Sequence, residues 1–168
     1  PGPERPSTEA MAANHPLSLY AATKKSNEAM AHALSHINNL PVTGLRFFTV
    51  YGPWGRPDMS FCRFAKAIIA DDPIDLHNYG QMTRDFTFVD DIVSGVVAAY
   101  DKPPQTDQTG IDAPSSATSA AAPYRIFNIG SGRSIDLATY VAAFERAIGK
   151  KAIIRNVAMH PGEALDTH

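Results

Sequence analysis

Small and apolar residues recur at helical spacing between residues 17 and 38, where Leu19, Ala22, Ser26, Ala29, Met30, Ala33, Leu34 and Ile37 form one stripe. The stripe predicts a long helix, opened by Pro16 and stopped by Asn38-Asn39-Leu40-Pro41. Residues 1 to 16 are rich in proline and lack periodicity, so they read as an extended loop. Residues 42 to 51 are dense in Val, Leu, Phe and Thr, the composition of a buried strand, which ends at Gly52-Pro53-Trp54-Gly55-Arg56-Pro57-Asp58. A second helical stripe, Phe61, Phe64, Ala65, Ile68 and Ile69, closes at Asp71-Asp72-Pro73. Residues 74 to 77 then alternate like a short strand, Tyr79-Gly80-Gln81 turns the chain, and residues 83 to 89 alternate as one further strand.

Asp90 or Asp91 is placed to cap a helix through about Asp101, with Ile92, Val93, Val96, Val97 and Tyr100 facing inward. From residue 102 to 123 the chain is Pro, Ser, Thr, Ala, Gln and Asp with almost nothing to bury, which predicts a mobile surface loop inserted in the fold. Residues 124 to 129 return as a strand, Gly130-Ser131-Gly132 turns it, and residues 136 to 148 form a helix stopped by Gly149. Residues 152 to 159 read as a last strand and the tail from His160 as irregular. Strands alternating with helices define an α/β chain.

Composition narrows the function classes. The chain has 168 residues, enough for a real core, with 44% hydrophobic and 19% charged residues. A net charge of -2 without a basic stripe leaves no footprint for a polyphosphate backbone, so nucleic acid is not an expected partner. No apolar run approaches the roughly 20 residues that span a bilayer, and the first residues lack the layout of a signal peptide. The expected location is the cytoplasm, with no membrane partner in this segment. Cys62 stands alone, which excludes an internal disulfide and a multi-cysteine metal site and fits a reducing compartment; it reads as a small packing residue on a helix. His32 and His36 lie one turn apart without a third ligand, so no metal site is expected.

Candidate chemistry begins at Tyr20 and Lys24, a phenol and an ammonium one helical turn apart. A phenol with its ordinary pKa of about 10 is a poor base near neutrality unless a cation stabilises the phenolate. The loop at residues 52 to 58 follows a buried strand and carries Trp and Arg, the place where open α/β sheets bind ligands. Gly130-Ser131-Gly132, between a strand and a helix, invites a dinucleotide-binding reading. It fails on detail, because the third glycine position is Ile135 and no acidic residue follows on a next strand.

Four motifs in one order carry a resemblance: Tyr20-x3-Lys24; Leu45-Arg46-Phe47-Phe48-Thr49-Val50-Tyr51-Gly52-Pro53; Thr83-Arg84-Asp85-Phe86-Thr87-Phe88-Val89-Asp90-Asp91; and Phe127-Asn128-Ile129-Gly130-Ser131-Gly132. Over residues 15 to 163 the chain resembles the extended short-chain dehydrogenase/reductase family, and most closely its nucleotide-sugar epimerases of the UDP-glucuronate 4-epimerase type. The resemblance implies an α/β fold made of partial Rossmann-like parallel sheet elements plus the small substrate-binding α/β portion of that family. Residues 1 to 59 would be the end of the Rossmann-like part, and residues 60 to 168 the substrate-binding portion with interleaved Rossmann elements. It implies an NAD-dependent isomerase in which Tyr20 is the general acid/base and Lys24 stabilises the tyrosinate and holds the nicotinamide ribose, so that both also contact the cofactor. It assigns Thr49, Arg56 and Arg63 to the substrate, Arg84 to its diphosphate, His77 to the neighbourhood of the uracil ring and Glu163 to a ribose hydroxyl. A UDP-sugar substrate and self-association into a homodimer or higher assembly through the Tyr20 helix follow from the same likeness.

The departures are equally informative. The family's first strand, its Gly-x-x-Gly-x-x-Gly turn and its catalytic Ser or Thr have no counterpart in these residues, nor do its last strand and helices. The resemblance therefore implies a fragment, the middle and C-terminal part of an epimerase, which needs an N-terminal half for full NAD binding. A 4,6-dehydratase, a decarboxylase, a non-catalytic nucleotide-sugar-binding module and a structural remnant are the alternatives.

Overall fold

In the computed structural model, which describes residues 6–11, 13–106, 118–119 and 121–168, the first helix begins where a hydroxyl is available to cap it. Ser18 has extended backbone angles and its Oγ accepts from Ala21 N at 3.1 Å, so helix α1 spans Leu19–Asn38. Asn39 ends it in the left-handed region at φ 49°. Ser18→Ala is expected to lower stability by about 1 kcal/mol, and Ser18→Asp to retain it, as read from urea denaturation midpoints.

The chain divides into two units. One contains α1, strand β1 (Val42–Phe47), most of helix α3 (Val89–Tyr100) and strand β6 (Tyr124–Ile129). β1 and β6 pair in parallel from Val42↔Tyr124 to Phe47↔Ile129. Ala122, Tyr124 and Ile126 form its buried cluster, with Ala31 of α1 and Val42 packed against it. Ser35, fully buried, donates through Oγ to Leu40 O at 2.8 Å, with Pro123 O at 3.3 Å. The small side of α1 thus meets the sheet, while the larger members of its stripe, Leu19, Met30, Leu34 and Ile37, face solvent.

α3 corrects two expectations. Asp90 and Asp91 lie inside its first turn, where acidic groups complement the helix dipole, and do not cap it. Of the apolar residues expected to face inward, Ile92 is buried, but Val93, Val96, Val97 and Tyr100 are exposed. The packing line runs through Ile92, Gly95 and Ala99 instead. At Gly95 an added Cβ would come within 2.7 Å of Ile129 Cδ1, so the glycine sets how closely α3 lies on β6. A helix with apolar residues around most of its circumference can turn only one line of them to a two-stranded sheet.

The other unit contains β2 (Thr49–Tyr51), α2 (Ser60–Ala70), β3 (Pro73–His77), β4 (Thr83–Arg84), β5 (Phe86–Phe88), β7 (Ile135–Asp136), α4 (Leu137–Ile148), β8 (Ile153–Val157) and β9 (Asp166–Thr167). β2 pairs with β5 and β3 with β8, both in parallel; β4 lies between β7, antiparallel, and β9, parallel. Its core is Ile68, Ile74, Leu76 and Val141, with Phe64, Ala67, Leu137 and Phe144 of the two helices packed around them. α4 starts at Asp136, whose carboxylate accepts from Thr139 N, and stops at Gly149, at φ 77°.

Two expected strands are each split in two. Residues 42 to 51 break at Phe48 because β1 pairs with β6 whereas β2 pairs with β5. Residues 83 to 89 break at Asp85, whose N–H donates to Thr167 O at 2.7 Å while its carbonyl accepts from Thr49 N at 3.0 Å. There the chain leaves one sheet partner and takes another. The tail expected to be irregular supplies β9. In the loop expected at residues 102 to 123, residues 107 to 117 and residue 120 lie outside the described residues. Its last residues are structured: Thr118 bridges to Arg125, and Ala122 and Pro123 are buried.

Candidate active site

In the first unit, α1 sets Tyr20 and Lys24 one turn apart on its solvent side, with Tyr20 72% exposed and Lys24 Nζ 5.4 Å from the ring centroid. A cation at that distance over an aromatic face is attracted to the ring quadrupole. Among the described residues no carboxylate pairs with Lys24. The carboxylate one turn further along, Glu28, is engaged elsewhere: Arg46 of β1 grips it with Nε–Oε1 at 2.6 Å and Nη2–Oε2 at 2.9 Å, and Lys25 Nζ reaches Oε2 at 3.1 Å. The Arg46 guanidinium holds the Glu28 carboxyl below its ordinary range, against the effect of burial. Glu28 in turn raises Arg46.

In the second unit, the loop after β2 carries Trp54, fully exposed, and Arg56, whose guanidinium forks onto the carboxylate of Asp58. That contact with Arg56 depresses the Asp58 carboxyl. Arg63 is exposed on α2. His77, at the end of β3, and Glu163 come together, with Nδ1 and Oε2 3.4 Å apart; both atoms are buried and neither has a directed hydrogen bond. Arg84 has its guanidinium on backbone oxygens: Nη1 donates to Thr83 O at 2.7 Å and Leu165 O at 3.0 Å, and Nη2 to Ala164 O at 2.8 Å. Burial pulls Arg84 below the usual guanidinium value, and the charges of Glu163 and Asp166 pull it back up. Arg84 is thereby tied to the segment that carries Glu163, and Thr49 to the same strand junction through its N–H to Asp85 O.

Asp85 is the residue that sequence reasoning missed. It is 1% exposed, and its carboxylate accepts from Thr87 Oγ1, Ser131 N, Ser131 Oγ and Gly132 N, each at 2.8 Å. Burial works to raise its pKa, but these hydrogen bonds outweigh it and hold the group below the ordinary carboxylate range. Gly130 has to be glycine here, since a Cβ would meet Phe48 Cδ2 at 2.4 Å and Asp85 Oδ2 at 2.8 Å. The signal lay in a charged residue inside an otherwise alternating strand, together with a Gly-Ser-Gly turn whose amides seek an anion.

These contacts test what the chain can hold. The amides of the Gly130-Ser131-Gly132 turn are taken by an internal carboxylate, so they are not presented to a diphosphate. Lys24, uncompensated and beside a phenol, suits a ribose hydroxyl and a hydride-transfer cofactor's proton chemistry. His32 is engaged by Ser119 Oγ at 2.9 Å and His36 by Ala121 O at 2.6 Å, and among the described residues no three His, Cys, Asp or Glu cluster as metal ligands. No described helix is long and apolar enough to cross a membrane.

A sequence profile of the NAD dependent epimerase/dehydratase family matches residues 1–130. The chain belongs to this family. It is 50% identical over 155 residues to Protein CapI of Staphylococcus aureus, covering 92% of this chain and 46% of that protein. It is 45% identical over 165 residues to a probable UDP-glucuronate 4-epimerase of Rhizobium meliloti (strain 1021), covering 96% and 48%. The crystal structure of UDP-glucuronic acid 4-epimerase from Bacillus cereus in complex with UDP-glucuronic acid and NAD aligns over 97% of this chain and 48% of that one, with a TM-score of 0.76 and 31% identity. The chain thus spans about half the length of the relatives it matches. Its α/β fold is that of the extended, Rossmann-type short-chain dehydrogenases/reductases, as the four motifs implied.

Proposed function

We propose that this chain is part of an NAD-dependent nucleotide-sugar 4-epimerase that interconverts UDP-glucuronate and UDP-galacturonate. The observation that carries this reading is the Tyr20–Lys24 pair, a phenol with an ammonium 5.4 Å from its ring and no carboxylate competing for that ammonium among the described residues. The family and the relatives support the substrate class.

In this reading Tyr20 Oη takes the proton of the sugar 4-hydroxyl as C4 gives up hydride, leaving a 4-ketone. Lys24 stabilises the tyrosinate before the transfer and holds a ribose hydroxyl of the cofactor. Bound NAD supplies the hydride acceptor and, in the return step, the hydride donor. Once the ketone has turned its other face, Tyr20 returns the proton to O4 as C4 regains hydride, so electrons and protons balance over the cycle. Arg56 and Arg63 hold the substrate with Thr49, and His77 and Glu163 lie at the nucleoside end. Arg84 keeps the chain of Ala164 and Leu165 in place and offers its positive charge to the diphosphate. On this reading the reaction, which uses a UDP-sugar and returns NAD unchanged, takes place in the cytoplasm.

The test joins this chain to a nicotinamide-binding half, supplies UDP-glucuronate and NAD, and follows the product by NMR. UDP-galacturonate supports the proposal. A 4-keto-6-deoxy sugar would assign the chain to a dehydratase and released carbon dioxide to a decarboxylase. The same reading sets a second copy against the solvent side of α1, where Met30, Leu34 and Ile37 are exposed. Leu34→Glu is expected to shift the chain toward the monomer in sedimentation velocity, and an unchanged profile excludes that face.

A further inference from the structure

The helix that carries Tyr20 and Lys24 also carries a carboxylate in the worst place for them. Residues four apart are neighbours on a helix surface, so Glu28 is within reach of Lys24 as well as of Lys25. A carboxylate on Lys24 would draw the ammonium away from the phenol and cancel its charge. In the structure this does not happen. Arg46 enters from β1, fixed by the parallel register Arg46↔Asn128, and takes both oxygens of Glu28 in a two-pronged grip, with Lys25 closing on Oε2. The Tyr124 hydroxyl donates to Glu28 O at 3.3 Å and steadies the same turn.

The grip is well shielded. The Glu28 and Arg46 side chains are 20% and 26% exposed, so solvent screens their attraction less than that of a surface pair. The charged and titratable groups facing Glu28 and Arg46 are Lys25, Tyr124 and Glu9. Glu9, like Glu28, favours the positive charge of Arg46.

We propose that Arg46 is a positioning residue that keeps the Glu28 carboxylate off Lys24 and so leaves the Lys24 ammonium free to serve Tyr20. This rests on the reading of Tyr20 and Lys24 as the proton-transfer pair, but the placement itself is measurable without turnover. Removing Arg46 leaves Glu28 with two neighbouring lysines on its own helix and no cation from the strand.

Two measurements test it on Arg46→Gln and on Arg46→Gln/Glu28→Gln. In the 168-residue chain, the NOE between the Lys24 ε-methylene and the Tyr20 ring is expected to weaken severalfold in the single variant and to return in the double variant. In the assay with a nicotinamide-binding half, the acidic limb of the kcat/KM profile is expected to move up by about 0.5 to 1 pH unit in Arg46→Gln, as a carboxylate charge at that range implies, and to return in the double variant. A merely structural ion pair predicts otherwise: lower stability in both variants, with neither the NOE nor the limb moved. An unchanged NOE in a folded Arg46→Gln chain overturns the proposal. If the NOE responds but the activity does not depend on Tyr20, the positioning stands and the epimerase reading falls. Should Arg46→Gln fail to fold, Arg46→Lys keeps the charge without the two-pronged hold and is expected to give a smaller change of the same sign; no change overturns the proposal.

Discussion

Tyr20→Phe is expected to lower kcat for epimerisation by about 1,000-fold while leaving KM within a few-fold, measured with UDP-glucuronate and a nicotinamide-binding half present. The substitution removes one oxygen and keeps the ring. The phenol is 72% exposed on α1, so its loss leaves no cavity and no buried donor behind. Stability should therefore stay within about 0.5 kcal/mol, which separates a chemical defect from a folding one. Lys24→Met is expected to act in the same direction, because Lys24 Nζ is the cation that lies over that ring, 5.4 Å from its centroid. A Tyr20→Phe protein that turned over at an undiminished rate would remove Tyr20 from the chemistry.

Asp85→Ala is expected to destabilise the chain by about 3 kcal/mol, read from the denaturation midpoint of a two-state transition. Four donors lose their acceptor together. Ser131 and Gly132 are exposed and can turn to water, but Thr87 is 1% exposed and cannot. Asp85→Asn keeps the shape and should cost less, about 2 kcal/mol, since an amide accepts through one oxygen and turns its NH2 toward an N–H. The site should suffer with the fold. The Asp85 backbone joins Thr49 to the strand junction and receives the segment at Thr167, and Arg84 is its chain neighbour, holding Ala164 and Leu165.

The acid dependence of this contribution has a definite sign. The folded-state pKa of Asp85 is depressed below the unfolded value of about 3.9, so its contribution is complete above about pH 5. It is lost as pH falls through the lower folded value. The stability difference between wild type and Asp85→Asn is accordingly expected to be flat near neutrality and to shrink below about pH 4. A difference that grows on acidification would contradict the hydrogen-bond account.

What was legible in the chain follows the range of the interactions involved. Helices α1, α2 and α4 were readable because their signals are local, apolar spacing at 3.6 residues and stops at Asn38-Asn39, Asp71-Asp72 and Gly149, whereas the caps Ser18 and Asp136 emerged only from the structure. The candidate residues Tyr20 and Lys24 were readable for the same reason, as were the four ordered motifs through which the family was recognised. The splits at Phe48 and Asp85 were not readable, because composition says that a segment is extended but not which strand it pairs with. The exposed side of α3 was missed because Val93, Val97 and Tyr100 are as apolar as Ile92, and only the width of the β1–β6 sheet and the close approach at Gly95 choose among them.

Sequence by itself determined most of the elements and the family, and singled out the candidate pair Tyr20 and Lys24, since each signal lies in residues near one another along the chain. Tertiary structure alone decided which charges meet. Glu28 has Lys24 and Lys25 beside it on one helix, yet an arginine 18 residues away holds it. Asp85 finds its partners 46 and 47 residues downstream, in a glycine turn that the sequence offered to a phosphate. Ionic and hydrogen-bonded partners are selected by the distance and burial that folding imposes, and neither is written in the order of the residues.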